Sequence, residues 1–189
     1  IVGHNAILRC ILLNLLGDPK QGFRRIQIDN ASISIMNIKS NNTTPYQAQL
    51  ECLNSTTHLD QKVPRKKQNT RLILVRHGET NWNLEGRFQG QIDIPLNNNG
   101  KQQALAAESF LKDIPIDKAF SSSMSRPQET GAIILNSHPD IKLELRNELV
   151  EIGHGLWEGK LESEIKKEWP NLLKQWKESP ETVQMPEGE

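Results

Sequence analysis

Apolar positions are spread unevenly along these 189 residues, and their spacing changes from stretch to stretch. Between residues 6 and 16, Ile7, Ile11 and Leu15 recur every fourth residue with Leu8, Leu12 and Leu16 beside them, which predicts a well-buried helix. Asn5 is its expected cap and Gly17-Asp18-Pro19 its stop, while Ile1-Val2 reads as the end of a strand. Residues 31–38 alternate apolar and polar side chains as a half-buried strand does, and residues 49–53 are expected to pair with them across the polar loop 39–44. Residues 60–70 are polar, hold Pro64 and the basic run Arg65-Lys66-Lys67, and show no periodicity, so they read as a solvated linker.

The short apolar run at residues 71–75 reads as a strand buried on both faces. After it come a helix over 101–112 burying Leu105, Phe110, Leu111 and its alanines, a strand over 117–121, a helix over 128–135 and a strand around 142–145. A charged, tryptophan-bearing helical insertion over 162–176 is expected as a lid over a cleft, and Pro186 to Glu189 as the start of another helix. Strands alternating with helices predict an α/β fold of three layers, with a mostly parallel central sheet and the 71–75 strand in its middle.

Lysine plus arginine equals aspartate plus glutamate at 23 each, so no bulk charge points to nucleic acid or a membrane surface. The run 6–16 is too short to span a bilayer and carries Arg9 and Asn14. Hydrophobic residues make up 35% of the chain, lean for a complete globular domain, and both ends are expected to be cut rather than natural. Cys10 and Cys52 give no disulfide framework, which fits a reducing, cytoplasmic setting.

The 71–75 run stops at Arg76-His77-Gly78, where a cation, an imidazole and a residue free to take positive φ come together. In open α/β sheets, ligands sit at such a carboxyl end. The run Leu74-Val-Arg-His-Gly-Glu-Thr-Asn-Trp-Asn83, followed by Gly86-Arg87, Gln89-Gly90, Asp93 and Pro95-Leu96, resembles the phosphohistidine signature of the histidine phosphatase superfamily, which includes the cofactor-dependent phosphoglycerate mutases. Ser122 to Arg126 followed by Thr130-Gly131 is also similar to that family, with Arg126 at the place of its second phosphate-binding arginine. The stretch Glu148 to Gly159 resembles its acid-bearing loop, with Glu151 at the acid's place, Glu148 as a rival and residues 155–159 as support.

The opening residues resemble the closing third of the same fold, where a second histidine follows a strand and a helix and a Ser-Ile-Ser strand come after it; His4 is that histidine here. Two organisations are compatible with this order. One is a tandem, with residues 1–59 the tail of a first domain, 60–70 a linker and 71–189 the front of a second. The other is a circularly permuted domain. The linker-like composition of 60–70 favours the tandem. His4 then serves an upstream copy, or it docks beside His77 to face one phosphate.

Phosphoryl transfer needs cations and N–H donors in a fixed frame, because a phosphomonoester carries about two negative charges. Arg76 and Arg126 offer planar forks for its oxygens, Asn83 an amide, and Gln89-Gly90 backbone N–H groups. Arg87 either reaches the substrate or braces the loop. His77 is the candidate nucleophile, Glu151 the candidate acid and base, and His4 the candidate second histidine. His58, His138 and His154 read as polar loop residues, and Trp82 and Trp157 as packing. No cysteine or histidine spacing suggests a metal site, and no cofactor is implied. The expected activity is phosphomonoester hydrolysis on a small phosphorylated metabolite, through a phosphohistidine. The alternatives are phosphoglycerate mutase activity and a catalytically inactive phosphate-binding module.

Overall fold

The computed structural model describes residues 1, 4–17, 23, 25–39, 47–59 and 71–189. The linker expected over 60–70, the strand end at Val2, Pro19 and the loop 40–44 lie outside the described residues. Contacts divide the chain into two compact units, Ile1–Arg71 and Leu72–Glu189.

In the first unit, helix α1 (Asn5–Leu15) starts after His4, whose backbone is extended and whose side chain makes no capping bond. Asn5 is therefore not the cap. It is the first helical residue, and its Nδ2 donates to the Ile28 carbonyl at 2.5 Å, tying the helix to the segment before the strands. Only Leu12 and Leu13 of α1 are buried, while Ile7 is 54% exposed and Leu16 41%. The periodicity predicted the helix correctly but overstated its burial. Gly17, at φ 79°, follows the helix and turns the chain.

Strands β1 (Ile33–Lys39) and β2 (Gln47–Ser55) pair antiparallel, with Met36 opposite Leu50 and Asn37 opposite Gln49, and the register shifts between Ile33 and Met36. β2 extends beyond the expected 49–53 at both ends. Alternation set the strand, but Ile33 and Ile35 are 49% and 47% exposed, so the isoleucine face is not the covered one.

The second unit is an α/β arrangement: α2 (Asn81–Glu85), α3 (Asn98–Leu111), β3 (Ala119–Ser122), α4 (Ser125–Leu135), β4 (Leu143–Arg146), α5 (Glu162–Glu168) and α6 (Pro170–Glu178). β3 and β4 pair in parallel, Ala119 opposite Leu143 through Ser122 opposite Arg146, with α4 as the crossover. Asn97 caps α3 by accepting from the Gly100 N–H at 2.8 Å. Ala104 and Leu111 are buried on α3, whereas Leu105, expected inside, is 44% exposed.

The predicted central strand at 71–75 is not formed. This segment belongs to no strand, and Leu72 and Leu74 are 78% and 83% exposed. A strand exists only when a neighbour takes its N–H and carbonyl groups, and among the described residues β3 and β4 pair with each other alone. The sheet of this unit is thus the parallel pair, and the fold is an incomplete α/β one.

The buried core cluster of the unit is drawn from residues 157–185. Trp157, Ile165, Leu173 and Met185 are buried together, with Phe88, Trp169, Leu172, Trp176 and Val183 packed against them. The expected insertion is two helices separated at Trp169-Pro170, and Ile165 of α5 and Leu173 of α6 are part of this core. Pro186-Glu187 is a turn rather than the start of a helix: the Pro186 carbonyl accepts from the Leu156 N–H, and Glu189 pairs back with Gly153. Replacing Ile165 with alanine should cost about 2–5 kcal/mol of unfolding free energy. Leu105→Ala on the exposed face of α3 should change it by no more than about 0.5 kcal/mol, both read from urea unfolding.

Candidate active site

The segment around His77 is held by backbone contacts to two helices. A Cβ on Gly78 would overlap the Gly100 backbone, and one on Gly100 would overlap that of Glu79, so glycine at both positions lets the loop lie against the start of α3. The Asn97 N–H donates to the Glu79 carbonyl at 3.0 Å and its Nδ2 to Glu79 Oε1 at 2.8 Å. The Gly78 N–H donates to Thr130 Oγ1 at 3.1 Å, and that hydroxyl donates to the Arg126 carbonyl at 2.8 Å.

His77 is half-buried, and its Nδ1 lies 2.7 Å from the Gly78 carbonyl oxygen. A carbonyl only accepts, so Nδ1 carries the proton and the Nε2 lone pair is available. The His77 proton affinity is lowered chiefly by burial. The Gly78 hydrogen bond opposes this, the Arg126 and Arg76 charges add to it, and Glu151 opposes it again. Arg76, Arg126 and Glu151 thus all act electrostatically on this imidazole, although Arg76 itself is exposed.

Thr80 and Asn83 form a capping box at the start of α2: the Asn83 N–H donates to Thr80 Oγ1 at 3.1 Å, and the Thr80 N–H to Asn83 Oδ1 at 3.0 Å. Asn83 Oδ1 is therefore engaged, leaving its Nδ2 as the group able to donate elsewhere. Gln89 is fixed through Oε1, which accepts from Thr80 Oγ1 at 2.9 Å. Gly90, at φ 54°, turns its carbonyl toward Arg126. Arg126 is only 2% exposed; its Nη2 donates to the Gly90 carbonyl at 2.8 Å and its Nη1 to that of Ile92 at 3.1 Å. Arg87 braces the loop, pairing with Glu85 and donating from Nη1 to the Gly159 carbonyl at 2.8 Å.

Glu151 is exposed, and its Oε1 accepts from the Ile152 N–H at 3.1 Å. Its charge acts on His77, Arg126 and His154 alike. His4 belongs to the other unit and is exposed. Among the described residues, no group of three or more His, Cys, Asp or Glu is placed to hold a metal ion.

A family model for the histidine phosphatase superfamily (branch 1) matches residues 1–49 and 72–189. The chain belongs to this superfamily. Phosphoserine phosphatase 1 of Hydrogenobacter thermophilus is 34% identical over 119 residues, 63% of this chain and 56% of that protein. A 2,3-bisphosphoglycerate-dependent phosphoglycerate mutase of Methanosarcina acetivorans is 44% identical over 70 residues, 37% of this chain and 28% of that protein. Among solved structures of the superfamily fold, Bacillus stearothermophilus YhfR superposes with a TM-score of 0.57 at 33% identity, covering 60% of this chain and 56% of that one. The chain therefore spans little more than half the length of these superfamily relatives at most.

Three residues around the candidate site make contacts that their place in the sequence did not reveal. Asp93 accepts from the Ser125 N–H and Oγ, the latter at 2.8 Å, and so fixes the start of α4 ahead of Arg126. Glu158 accepts from three backbone N–H groups, those of Gln91, Ile92 and His154. His154 is not a polar loop residue. It is 9% exposed and packs edge-to-face on Phe88 at 5.3 Å and Trp176 at 5.5 Å. Asp93 stood inside the quoted motif, and Glu158 beside Trp157. Most of their hydrogen-bond duties had no linear signal, because every partner except His154 lies 32 to 67 residues away. Trp157 is fully buried packing, as expected.

Burial lowers the proton affinity of both His77 and His154 in the folded chain. Unfolded histidine protonates near pH 6.5, so below that value the unfolded chain binds more protons and folding stability falls with pH. Urea unfolding across pH 4.5 to 7.5 should show this slope on the acid side and none of it above about pH 7. His154→Phe should flatten part of the slope. Arg76→Ala should raise the His77 midpoint in an NMR titration, since it removes one of the repelling cations.

Proposed function

We propose that the second unit is the phosphate-binding and nucleophilic half of a phosphomonoester hydrolase that works through a phosphohistidine at His77. The observation that carries this is the Nδ1–H bond from His77 to the Gly78 carbonyl, in an environment that disfavours protonation. Together they present a neutral Nε2 lone pair, which is what attack on phosphorus requires. Nε2 forms a bond to phosphorus as the ester P–O bond breaks, and Glu151 protonates the departing alkoxide. Water then attacks the phosphohistidine, Glu151 takes the water's proton, and inorganic phosphate leaves while Nε2 regains its lone pair. Arg76 and Arg126 bind the phosphoryl oxygens, helped by the Asn83 amide and the Gln89-Gly90 backbone. His4 is the second histidine of a family copy. The two separate stretches that match the family support reading residues 1–59 and 71–189 as parts of two copies joined by 60–70.

The substrate is a small phosphorylated metabolite, as the phosphatase-named relative suggests, and the free thiols of Cys10 and Cys52 fit a cytoplasmic setting. No helix among the described residues is long and apolar enough to cross a membrane. A mutase reading has its own support in the mutase-named relative at 44% identity. A screen of the chain against small phosphomonoesters and 3-phosphoglycerate, without added metal, separates the two. Phosphate release is expected, whereas conversion to the 2-phospho isomer without release would favour the mutase. His77→Ala should abolish the phosphoenzyme, seen as loss of acid-labile phosphate on that unit. Glu151→Gln should lower kcat by roughly 10²–10⁴ while leaving the phosphoenzyme able to form with an activated leaving group such as p-nitrophenol.

A further inference from the structure

Glu158 lies outside the proposed chemistry, yet its carboxylate joins the two segments that frame it. Oε1 accepts from the Gln91 N–H at 2.9 Å and the His154 N–H at 3.0 Å, and Oε2 accepts from the Ile92 N–H at 3.0 Å. The other faces of the same backbone are turned to Arg126, through the Gly90 carbonyl at 2.8 Å and the Ile92 carbonyl at 3.1 Å. The Gly90–Gln91 peptide therefore has its N–H on an anion and its C=O on a cation. Both charges polarise it in the same sense, and the guanidinium is aimed through backbone rather than by direct ion pairing. A Cβ on Gly90 would overlap the Glu158 carboxylate, so the loop closes on this side chain only because residue 90 is glycine.

We infer that Glu158 is the positioning residue for Arg126, setting the guanidinium through the Gly90–Ile92 backbone and locking that loop to the Glu151–His154 segment through the His154 N–H. This rests on the phosphate-binding role proposed for Arg126. Three N–H donors on one side chain require acceptor oxygens at both tips. Glutamine has one such oxygen, and its NH₂ would face at least one of the donors. Losing hydrogen bonds to a charged group should weaken phosphate binding by about tenfold or more.

The test uses Glu158→Gln and Glu158→Asp in the full chain, with p-nitrophenyl phosphate turnover, inorganic phosphate binding and the Arg126 Nε–H NMR resonance as readouts. In E158Q, KM and the phosphate Kd should rise about tenfold with kcat changed less than about threefold, and the Arg126 resonance should shift or broaden. E158D, which keeps both oxygens, should recover part of the phosphate affinity. A folded E158Q with an unchanged Arg126 resonance and unchanged KM overturns the inference, as does a loss confined to kcat. So does an E158Q that fails to fold while E158D folds with the couplings to its carboxylate lost and the Arg126 resonance and KM unchanged, since Arg126 would then hold its place without the carboxylate. In the unmodified chain, through-hydrogen-bond couplings from the Gln91 and Ile92 amides to the Glu158 carboxylate carbon are expected, and their absence also overturns it. A wild-type chain that neither turns over the ester nor binds phosphate removes the hydrolase reading, while the Arg126 resonance and these couplings still decide the role of Glu158.

Discussion

The close approach of Gly78 to Gly100 fixes where everything else at the site can be. Two glycines in backbone contact bring the loop after His77 against the first turn of α3, and Asn97 then takes both the carbonyl and the carboxylate of Glu79 while it caps that helix. On the other side, Thr130 of α4 accepts the Gly78 N–H. His77 is therefore held by its neighbours' backbone and not by its own side chain, whose single described hydrogen bond goes to the adjacent carbonyl. That arrangement leaves the imidazole free at Nε2 while denying it much latitude in position.

Around this fixed point the charged groups are handled in different ways. Arg126 is buried and directed by carbonyls, so it is a rigid cation. Arg76 is exposed and acts on His77 through its field. Glu151 is exposed in a loop segment whose residues Gly153 and His154 are pinned to Glu189 and Glu158. In the proposed reaction, the fixed cation would stay still for phosphate while the more open carboxylate exchanges protons with solvent.

Much of this was legible in the chain before any coordinates, and the division follows physical range. Elements written in local signals came through: α1, the β1–β2 pairing, α3, α4 and the parallel strands β3 and β4 all lie within a few residues of where periodicity and breakers put them. The residues of the Arg-His-Gly signature could be named because their spacing is contiguous. Burial was read less well, since it depends on partners that a local pattern does not contain. Ile7, Ile33, Ile35 and Leu105 carry the right periods and still face outward. The strand at 71–75 failed for the same reason, as its composition is that of a central strand but it has no neighbouring strand among the described residues. The roles of Glu158 and His154 went unread because most of their contacts reach across the fold.

The unpaired segment at 72–75 has a colloidal consequence as well as a structural one. Leu72-Ile73-Leu74-Val75 is an apolar run without proline or charge, with side chains 37% to 83% exposed and backbone outside any ladder. Such runs nucleate cross-β stacking when chains are concentrated. Arg71 and Arg76 bracket this one, and like charges at both ends of a short strand repel their counterparts on an in-register neighbour. The arginine that lends its field to His77 is thus also a gatekeeper against self-association, and exchanging it for a neutral residue changes solubility along with the electrostatics of the imidazole.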